Sequence, residues 1–438
     1  MLTEAIPASS LRNSIAARLT EARARTLLLV SRLSDADIRD QHDSLMSPLL
    51  WDLGHIAHFE ELWLTRNLSG PIEFSEMPGL YNPFEHPRAT RATLELPSLA
   101  QLVATAAEIR TDVLEALRLV NLESHSPLLA NGFVYNLVLQ HEYQHNETIL
   151  QTLQLKKGEP YPAPRCMVPP ARCEDNFTGM IHVAEGEYPI GTDDTTAAYD
   201  NERPRHAIQV RAFDIDAAPV TNAEFLRFMN DGGYERAELW SEEGREWLLQ
   251  SRVSAPKYWL RTRDGWTARS MDVTSTVHPD HPVCHVCYHE ADAYARWAGK
   301  RLPTEQEWEI AASWNPGTQS AQPFPWGDTE PTPLLCNIDQ LTFGTAPVGS
   351  YPLNVSPLGC YGMIGDVWEW TSTDFHGYPG FRAFPYAEYS EVFFGIEYKV
   401  LRGGSWATRP GAIRNTFRNW DYPIRRQIFS GFRCARDV

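Results

Sequence analysis

Apolar residues recur at helical spacing through the first third of the chain, with polar residues between them. Positions three and four residues apart lie on one face of an α-helix, so this pattern predicts helices that each turn an apolar face to a core. The pattern predicts four such helices. The first begins near Ser10 and the second at Ser47 and Pro48. The third covers residues 99–120, and the fourth covers residues 133–155. Pro48 suits the first turn of a helix, where its missing N–H loses no hydrogen bond. Four helices with connections of mixed length favour a bundle.

The second half of the chain has a different pattern. From about residue 179 it shows short apolar runs separated by Gly, Pro, Asn and Asp, which predicts an irregular α+β domain. Only residues 221–230 and 289–298 have a convincing helical period there. Residues 156–178 hold five prolines and no period, so they predict a linker. The predicted organisation is therefore a helical bundle over residues 1–155, a linker over 156–178, and an α+β domain over 179–438.

Length and charge narrow the possible functions. At 438 residues the chain is too long for one ordinary core, which fits two domains. Its formal net charge of −17, without a run of Lys or Arg, disfavours binding to nucleic acid. No signal-peptide pattern is evident, and no stretch approaches the roughly 18 uncharged apolar residues of a membrane span. Seven cysteines in so large a chain do not resemble a disulfide framework, so we expect a cytoplasmic protein without a membrane partner.

A CxxC motif raises the question of a zinc site in the second half. Cys284 and Cys287 form the motif, and His281 and His289 lie close to it in the sequence. A structural zinc site needs four ligands, and this segment lacks a second pair at the usual spacing. The alternation of apolar and polar residues over 282–286 predicts a buried strand instead.

Two histidines one helical turn apart are the strongest candidate for chemistry. His141 and His145 lie within the predicted fourth helix, where the i, i+4 spacing puts both imidazoles on one face and lets them share a metal ion. A third ligand should come from a facing helix. His55 is the best candidate, because Gly54 permits a close approach of helices, and His58 shares its face. Three neutral imidazoles suit zinc, copper, iron or nickel alike, and a pair of ordinary surface histidines is the alternative.

Several motifs match a known family over nearly the whole chain. Residues 43–55, which end in Trp-Asp-Leu-Gly-His, and residues 141–148 resemble the DinB-like half of the ergothioneine-biosynthetic sulfoxide synthases of the EgtB type. Four stretches of the second half are similar to the α+β fold of formylglycine-generating enzymes and C-type lectins. The cysteine pair used by those enzymes is absent from residues 407–413, so their chemistry is not expected here. The four stretches are residues 219–225, 298–309, 365–371 and 401–406.

The resemblance implies an iron enzyme. His55, His141 and His145 would be the ligands of Fe(II), and the reaction would join the thiol of γ-glutamylcysteine to C2 of the imidazole of hercynine (Nα-trimethylhistidine), using O2 and leaving a sulfoxide. We expect small-molecule substrates only, and a monomer or weak oligomer. The alternatives are free cysteine as the thiol, a DinB-type zinc hydrolase or thiol transferase, and a non-catalytic binding module. In a hydrolase, Glu142 would correspond to the general base of the HExxH zinc proteases.

The resemblance also implies residues that bind the thiol substrate. Arg88 and Arg91 match an RxxR that binds carboxylates of γ-glutamylcysteine in the family, and the planar guanidinium suits that group. Both lie in the irregular, proline-rich stretch of residues 67–97, and loops of that length tend to be functional. Asp421 and Arg425 resemble the partners of the glutamyl amine and carboxylate.

Further residues are implied for hercynine and for proton transfer. Gln144 resembles the residue that helps to hold the hercynine carboxylate, and Trp420 would pack near the trimethylammonium group in a cation–π contact. The family uses a tyrosine hydroxyl as a proton donor near the iron. Tyr386 is preferred, because the family places a tyrosine just before an acidic residue and an aromatic one. Tyr389, with an alternative role at the hercynine carboxylate, is second, and Tyr378 is third.

Overall fold

The structure, a computed structural model, describes residues 8–68, 79–173 and 177–438. Its chain forms two compact units. The predicted fold class, a helical bundle followed by an α+β domain, is confirmed. The first unit comprises Met1–Pro162, Asp194–Tyr199 and Phe384–Tyr386, and the second comprises Ala163–Asp193, Asp200–Ala383 and Ala387–Val438.

Long helices make up the first unit. They are α1 (Ala8–Val30), α2 (Asp35–Arg39), α3 (Leu49–Glu61), α4 (Leu99–Leu119) and α5 (Phe133–Gln154). Helix α1 packs against α5, and α3 packs against both α4 and α5. Ser98 begins α4 with a capping box, in which its hydroxyl and the side chain of Gln101 satisfy each other's backbone N–H groups. These helices are stabilised by the apolar faces that the period predicts, including the fully buried Leu19 and Leu139.

Two details of the bundle differ from the prediction. Pro48 is the N-cap of α3 and lies just outside the helix, because its φ and ψ of −55° and 138° are extended. The short helix α2 had no periodic signal, since it depends on the capping box that Ser34 forms with Asp37. Helix α3 continues directly into a π-helical turn, Leu62–Arg66. No helix in the described part of the chain combines the length and the apolar character needed to cross a membrane.

The second unit contains more helices than the two predicted from the sequence. They are α6 (Asn222–Asn230), α7 (Glu242–Ser251), α8 (Tyr288–Trp297) and α9 (Glu305–Ser313). Helices α6 and α8 match the predictions, whereas α7 and α9 were missed. Helix α7 is short and mostly polar, with the exposed Leu249 on its surface, so it lacks an apolar period. Helix α9 is buried over almost its whole length, so polar and apolar faces do not alternate along it.

Short strands form small sheets around these helices. The largest sheet has the order β12-β11-β10-β13, with β10 antiparallel to β11 and parallel to β13. The order β1-β4-β14 joins the start of the unit to its end. A core cluster that includes Ile190, Ile215 and Trp308 packs against these elements. The strands are β1 (Met180–Val183), β2 (Gly186–Ile190), β3 (His206–Val210), β4 (Phe213–Asp216), β5 (Trp259–Thr262), β6 (Gly265–Ser270), β7 (Val273–Thr276), β8 (Trp314–Asn315), β9 (Ser320–Ala321), β10 (Trp368–Phe375), β11 (Gly395–Arg402), β12 (Asn419–Asp421), β13 (Ser430–Gly431) and β14 (Ala435–Asp437).

The prediction of a buried strand over residues 282–286, at the CxxC motif, is wrong. Residue Pro282 makes only an isolated bridge to Thr221, and the segment then leaves the extended conformation. His285 has a φ of 66°, in the left-handed region, which breaks the alternation of faces. Cys287 is the N-cap of α8. Among the described residues, no group of three potential ligands forms at this motif.

Candidate metal centre

Three histidines from two packed helices meet inside the first unit. His55 lies in the middle of α3, and His141 and His145 lie one turn apart on α5. One potential ligand atom from each ring lies within 4.8 Å of the other two. The Nε2 atoms of His55 and His141 are 3.2 Å apart. His58, the alternative third ligand, lies outside this group because it points from α3 toward the ring of Tyr81.

Hydrogen bonding fixes which nitrogen of His55 faces the centre. Its Nδ1 atom lies 2.8 Å from the carbonyl oxygen of Tyr81, so Nδ1 carries the hydrogen and Nε2 carries the lone pair. On α5, His145 Nδ1 lies 3.5 Å from a carboxylate oxygen of Asp52, one turn before His55 on α3. A histidine that ligates a metal usually turns its other ring nitrogen to a carbonyl or carboxylate in this way.

Electrostatics keep the centre ready to accept a cation. Burial lowers the pKa values of His55 and His141 well below the usual range, and the neighbouring imidazoles lower them further. Both rings are therefore neutral at physiological pH, as a metal ligand must be. Within the described part of the chain, His141 Nδ1 is buried without a hydrogen-bond partner. Converging neutral imidazoles whose Nε2 atoms lie 3.2 Å apart fit a divalent transition metal.

An aromatic wall connects the centre to one of the predicted tyrosines. The ring of Phe59 stacks on His141, with centroids 3.7 Å apart and planes 12° apart. Tyr386 lies against this wall, 5.1 Å from the ring of Trp63 and 6.3 Å from that of Phe59. Although Tyr386 follows far along the chain, its short segment belongs to the first unit. The sequence could not have shown this placement.

Gln144 takes part in a polar stripe along α5. Asn136 and Gln140 donate to the carbonyl oxygens of Thr196 and Ala197, at 2.9 and 2.8 Å. One turn further, Gln144 accepts a hydrogen bond of 3.0 Å from the Tyr199 hydroxyl. Residues 136, 140 and 144 follow the i, i+4 spacing, so one face of α5 binds the segment Asp194–Tyr199. Sequence reasoning missed Tyr199, because it assigned that segment to the other domain.

The two arginines of the RxxR motif have different surroundings on the 3₁₀ turn Arg88–Thr93. Arg88 is exposed. Arg91 is buried, with its guanidinium 3.4 Å from the centroid of the Trp51 ring, and it donates to Ser47 Oγ at 2.6 Å. Burial lowers the pKa of Arg91 to about 10. Arg91 thus contacts the same helix that carries His55.

The remaining predicted residues lie in the second unit. Trp420 stacks on Phe375 with centroids 4.1 Å apart, and Tyr389 meets its edge at 5.9 Å. Asp421 and Arg425 form an ion pair of 3.3 Å. These four predicted residues are therefore near one another. Tyr378 is packed in the core instead, where burial raises its pKa strongly, and its ring lies 4.2 Å from the guanidinium of Arg418.

Glu142 does not face the centre as the base of a zinc protease would. Its carboxylate accepts hydrogen bonds from Arg23 Nε at 2.9 Å and from Thr26 Oγ1 at 2.6 Å. Burial alone would raise its pKa, but the charges of Arg23 and Arg110 hold the pKa below the ordinary value. A carboxylate so bound is a poor general base.

Comparison with known proteins gives the family. Residues 18–149 match the DinB superfamily, and residues 166–438 match the Sulfatase-modifying factor enzyme 1-like domain. The hercynine oxygenase of Mycolicibacterium thermoresistibile is 45% identical over 437 residues, which cover 98% of this chain and 95% of that protein. The chain belongs to the hercynine oxygenase family. The hercynine oxygenase of Mycobacterium tuberculosis is 44% identical, over 97% of this chain and 99% of that protein. The resemblance to ergothioneine-biosynthetic sulfoxide synthases is confirmed, and the chain is an oxidoreductase.

Two residues near the centre could have been recognised in the sequence. Asp52 precedes His55 by three residues, so helical spacing places it on the same face, and a carboxylate there suits a histidine ligand. Trp51 stacks on His55 one turn later, with planes 11° apart. Tyr81 gave no signal, because it acts through its backbone carbonyl, which every residue has.

Proposed function

We propose that the chain catalyses the Fe(II)- and O2-dependent coupling of γ-glutamylcysteine to hercynine, with γ-glutamyl-hercynylcysteine sulfoxide as the product. The observation that carries the proposal is the trio of converging histidines in a member of the hercynine oxygenase family. One C–H bond of the imidazole and the S–H bond are broken, a C–S bond forms, and O2 supplies one oxygen atom to the sulfoxide and one to water. O2 is thus the only oxidant required.

His55, His141 and His145 would hold the iron and leave one side of it for substrates. Iron bound there would supply the electrons that activate O2 and would favour a thiolate over a thiol. Helices α3 and α5 set the positions of the ligands, and Phe59 covers His141 and limits access of water on that side. Tyr386, beyond Phe59, is the proposed proton donor, with Tyr389 and Tyr378 as the other candidates.

The proposed contacts with the thiol substrate pair each charged group with a side chain of opposite charge. Arg88 and Arg91 would pair with carboxylates of the thiol substrate. Asp421 would pair with its ammonium group, and Arg425 with the glutamyl carboxylate.

Hercynine carries a carboxylate and a trimethylammonium group, which need opposite partners. The amide of Gln144, oriented by Tyr199, would donate to the carboxylate of hercynine. Trp420 would offer its ring to the trimethylammonium group, because a quaternary ammonium is recognised by an aromatic face.

The first test compares thiols and metals in one product assay. Protein stripped of metal is loaded with Fe(II) under exclusion of air, then given hercynine, O2 and either γ-glutamylcysteine or cysteine, and the sulfoxides are measured by mass spectrometry. We expect γ-glutamylcysteine to be the better substrate and His141→Ala to lose at least a hundredfold in rate, together with bound iron. His125→Ala, which removes an exposed histidine of the same unit, should keep both.

Other results would point to the other functions. Equal or better turnover of cysteine would assign the free amino acid as the thiol. Full activity of His141→Ala would remove the proposed ligand set. Hydrolysis or thiol transfer by protein that contains only zinc, without O2, would indicate a DinB-type hydrolase or transferase, although the bound state of Glu142 argues against that function.

A further inference from the structure

A short piece of backbone binds the face of α3 that carries His55. Leu80 and Tyr81 belong to a 3₁₀ turn, Gly79–Tyr81. The indole N–H of Trp51 donates to the Leu80 carbonyl at 2.9 Å, and His55 Nδ1 donates to the next carbonyl, that of Tyr81, at 2.8 Å. Two consecutive carbonyls therefore bind two side chains that are one helical turn apart, and one of those side chains is a proposed ligand.

Gly54 provides the space in which this turn meets the helix. A Cβ atom at Gly54 would lie 2.1 Å from Cε1 of the Tyr81 ring and 2.2 Å from Cζ. The ring thus occupies the place of a side chain on α3. Glycine is among the least favourable residues inside a helix, so its presence here is explained by the ring and not by the helix. The approach that Gly54 permits is that of a ring, and not of a second helix as the sequence predicted.

The Trp51 ring closes the arrangement from the side. It stacks on the His55 imidazole with centroids 4.9 Å apart and planes 11° apart, and the guanidinium of Arg91 also lies against it. His55 is 6% exposed. Its ring is held by the stacked Trp51 ring and by the hydrogen bond to the Tyr81 carbonyl. An imidazole restrained in both ways has one orientation of its Nε2 lone pair.

We propose that Trp51, Gly54, Leu80 and Tyr81 form a His55 clamp, whose role is to position His55 as a metal ligand. The Tyr81 ring anchors the turn against α3, and the anchored turn holds its carbonyl at the distance that selects the Nδ1–H form of His55. The clamp residues are positioning residues and need not touch substrate. The inference rests on the proposed role of His55 as a ligand.

The test is a double-mutant cycle read out by metal affinity. Dissociation constants of Co(II) and Fe(II) are measured on the full chain for wild type, Gly54→Ala, Tyr81→Ala and the double variant. We expect Gly54→Ala to weaken binding 10- to 100-fold, the range seen when an outer partner of a ligand is disturbed. In the Tyr81→Ala background the ring is gone, so Gly54→Ala should change the affinity less than twofold. The absorption bands of bound Co(II) should shift in Gly54→Ala, since they report the ligand geometry.

A milder pair of variants keeps the proposal testable if Gly54→Ala does not fold. Trp51→Phe keeps a ring beside His55 but removes the N–H that binds the Leu80 carbonyl, and should weaken binding about 3- to 10-fold. Trp240→Phe is the matched control, because it also removes an indole N–H that donates to a carbonyl, that of Gly233 at 2.9 Å in the second unit, and it should leave affinity unchanged. Thermal unfolding of the metal-free variants shows whether folding is intact.

The outcomes separate the clamp from the proposed function. If His55→Ala keeps full metal affinity, His55 is not a ligand and the proposed ligand set fails. If His55→Ala loses the metal while Gly54→Ala and Trp51→Phe bind it as wild type does, only the clamp is overturned. An equal effect of Gly54→Ala with and without the Tyr81 ring would also overturn it.

Discussion

Arg88 and Arg91 are three residues apart, yet only Arg91 is buried. Its guanidinium packs on Trp51 and binds Ser47, whereas Arg88 lies at the surface. A contact between a cation and an indole ring stabilises both partners when it is removed from water. Loss of Arg91 should therefore affect both the binding of the thiol substrate and the orientation of the residues around His55.

We expect the two arginine variants to behave differently. Arg88→Ala should raise KM for γ-glutamylcysteine about 3- to 10-fold with unchanged metal affinity, because an exposed charge pair contributes only about 1 kcal/mol. Arg91→Ala should raise KM more and also weaken metal binding several-fold, because Trp51 loses its cation. Steady-state kinetics with both thiols and metal titration measure these effects. If KM for cysteine rises as much as KM for γ-glutamylcysteine, neither arginine selects the glutamyl group.

At the scale of secondary-structure elements, four charged residues connect the four long helices. Arg23 of α1 and Arg110 of α4 each contact Glu60 of α3 and Glu142 of α5, and the shortest of these contacts are 2.7 Å for Arg23 and 2.5 Å for Arg110. Both carboxylates are at most 1% exposed. Because Glu60 and Glu142 lie on the helices that carry the histidines, this interhelical charge cluster joins α3 to α5.

Removal of one member of the cluster should lower the free energy of unfolding. Arg110→Met leaves Glu60 buried with one cation fewer, and breaking a buried pair from one side costs about 3–5 kcal/mol. The double variant Arg110→Met/Glu60→Gln should be less destabilised than the sum of its parts. Urea unfolding followed by helical circular dichroism measures the free energy of unfolding.

The control for the cluster is an exposed ion pair of the same unit. Arg39→Met breaks the pair with Asp35 on α2 and should cost less than about 1 kcal/mol. If Arg110→Met costs no more than Arg39→Met, the cluster does not stabilise the bundle.

At the scale of the whole molecule, a buried histidine of the second unit should make the stability of the protein depend on pH. This residue is His289, which lies in the first turn of α8 beside Trp247 and is 7% exposed. Burial lowers the pKa of His289 to about 4, and the nearby charges of Glu243 and Lys399 oppose each other. The unfolded chain has a histidine pKa of about 6.5, so it binds the proton at a higher pH than the folded state does.

This difference predicts a loss of stability in mild acid. As pH falls from 7 to 5 the unfolded state gains a proton that the folded state does not, so His289 should remove on the order of 1–2 kcal/mol from the free energy of unfolding. His289→Leu should lack this part of the pH dependence. Denaturant unfolding at several pH values compares it with wild type and with His376→Gln, which exchanges an exposed histidine. Identical slopes for all three proteins would contradict the prediction.

The sequence by itself determined the four long helices of the bundle and the pair His141 and His145. An apolar period needs only that one face be buried, and a spacing of four residues puts two side chains together on any helix. It also determined the family, because the motifs of both halves are local. The sequence failed where burial removes alternation, as in α9, or where a positive φ interrupts a strand, as at His285.

Only the tertiary structure decided which distant residues complete the centre. His55 and His58 are equivalent by spacing, and it is the packing of α3 against α5 that brings His55 to His141 and His145. Tyr386 is far from the histidines in the sequence. The Tyr81 carbonyl is a backbone group that every residue has, so the sequence does not mark it. Their positions depend on the path of the backbone between helices, which no periodic pattern encodes.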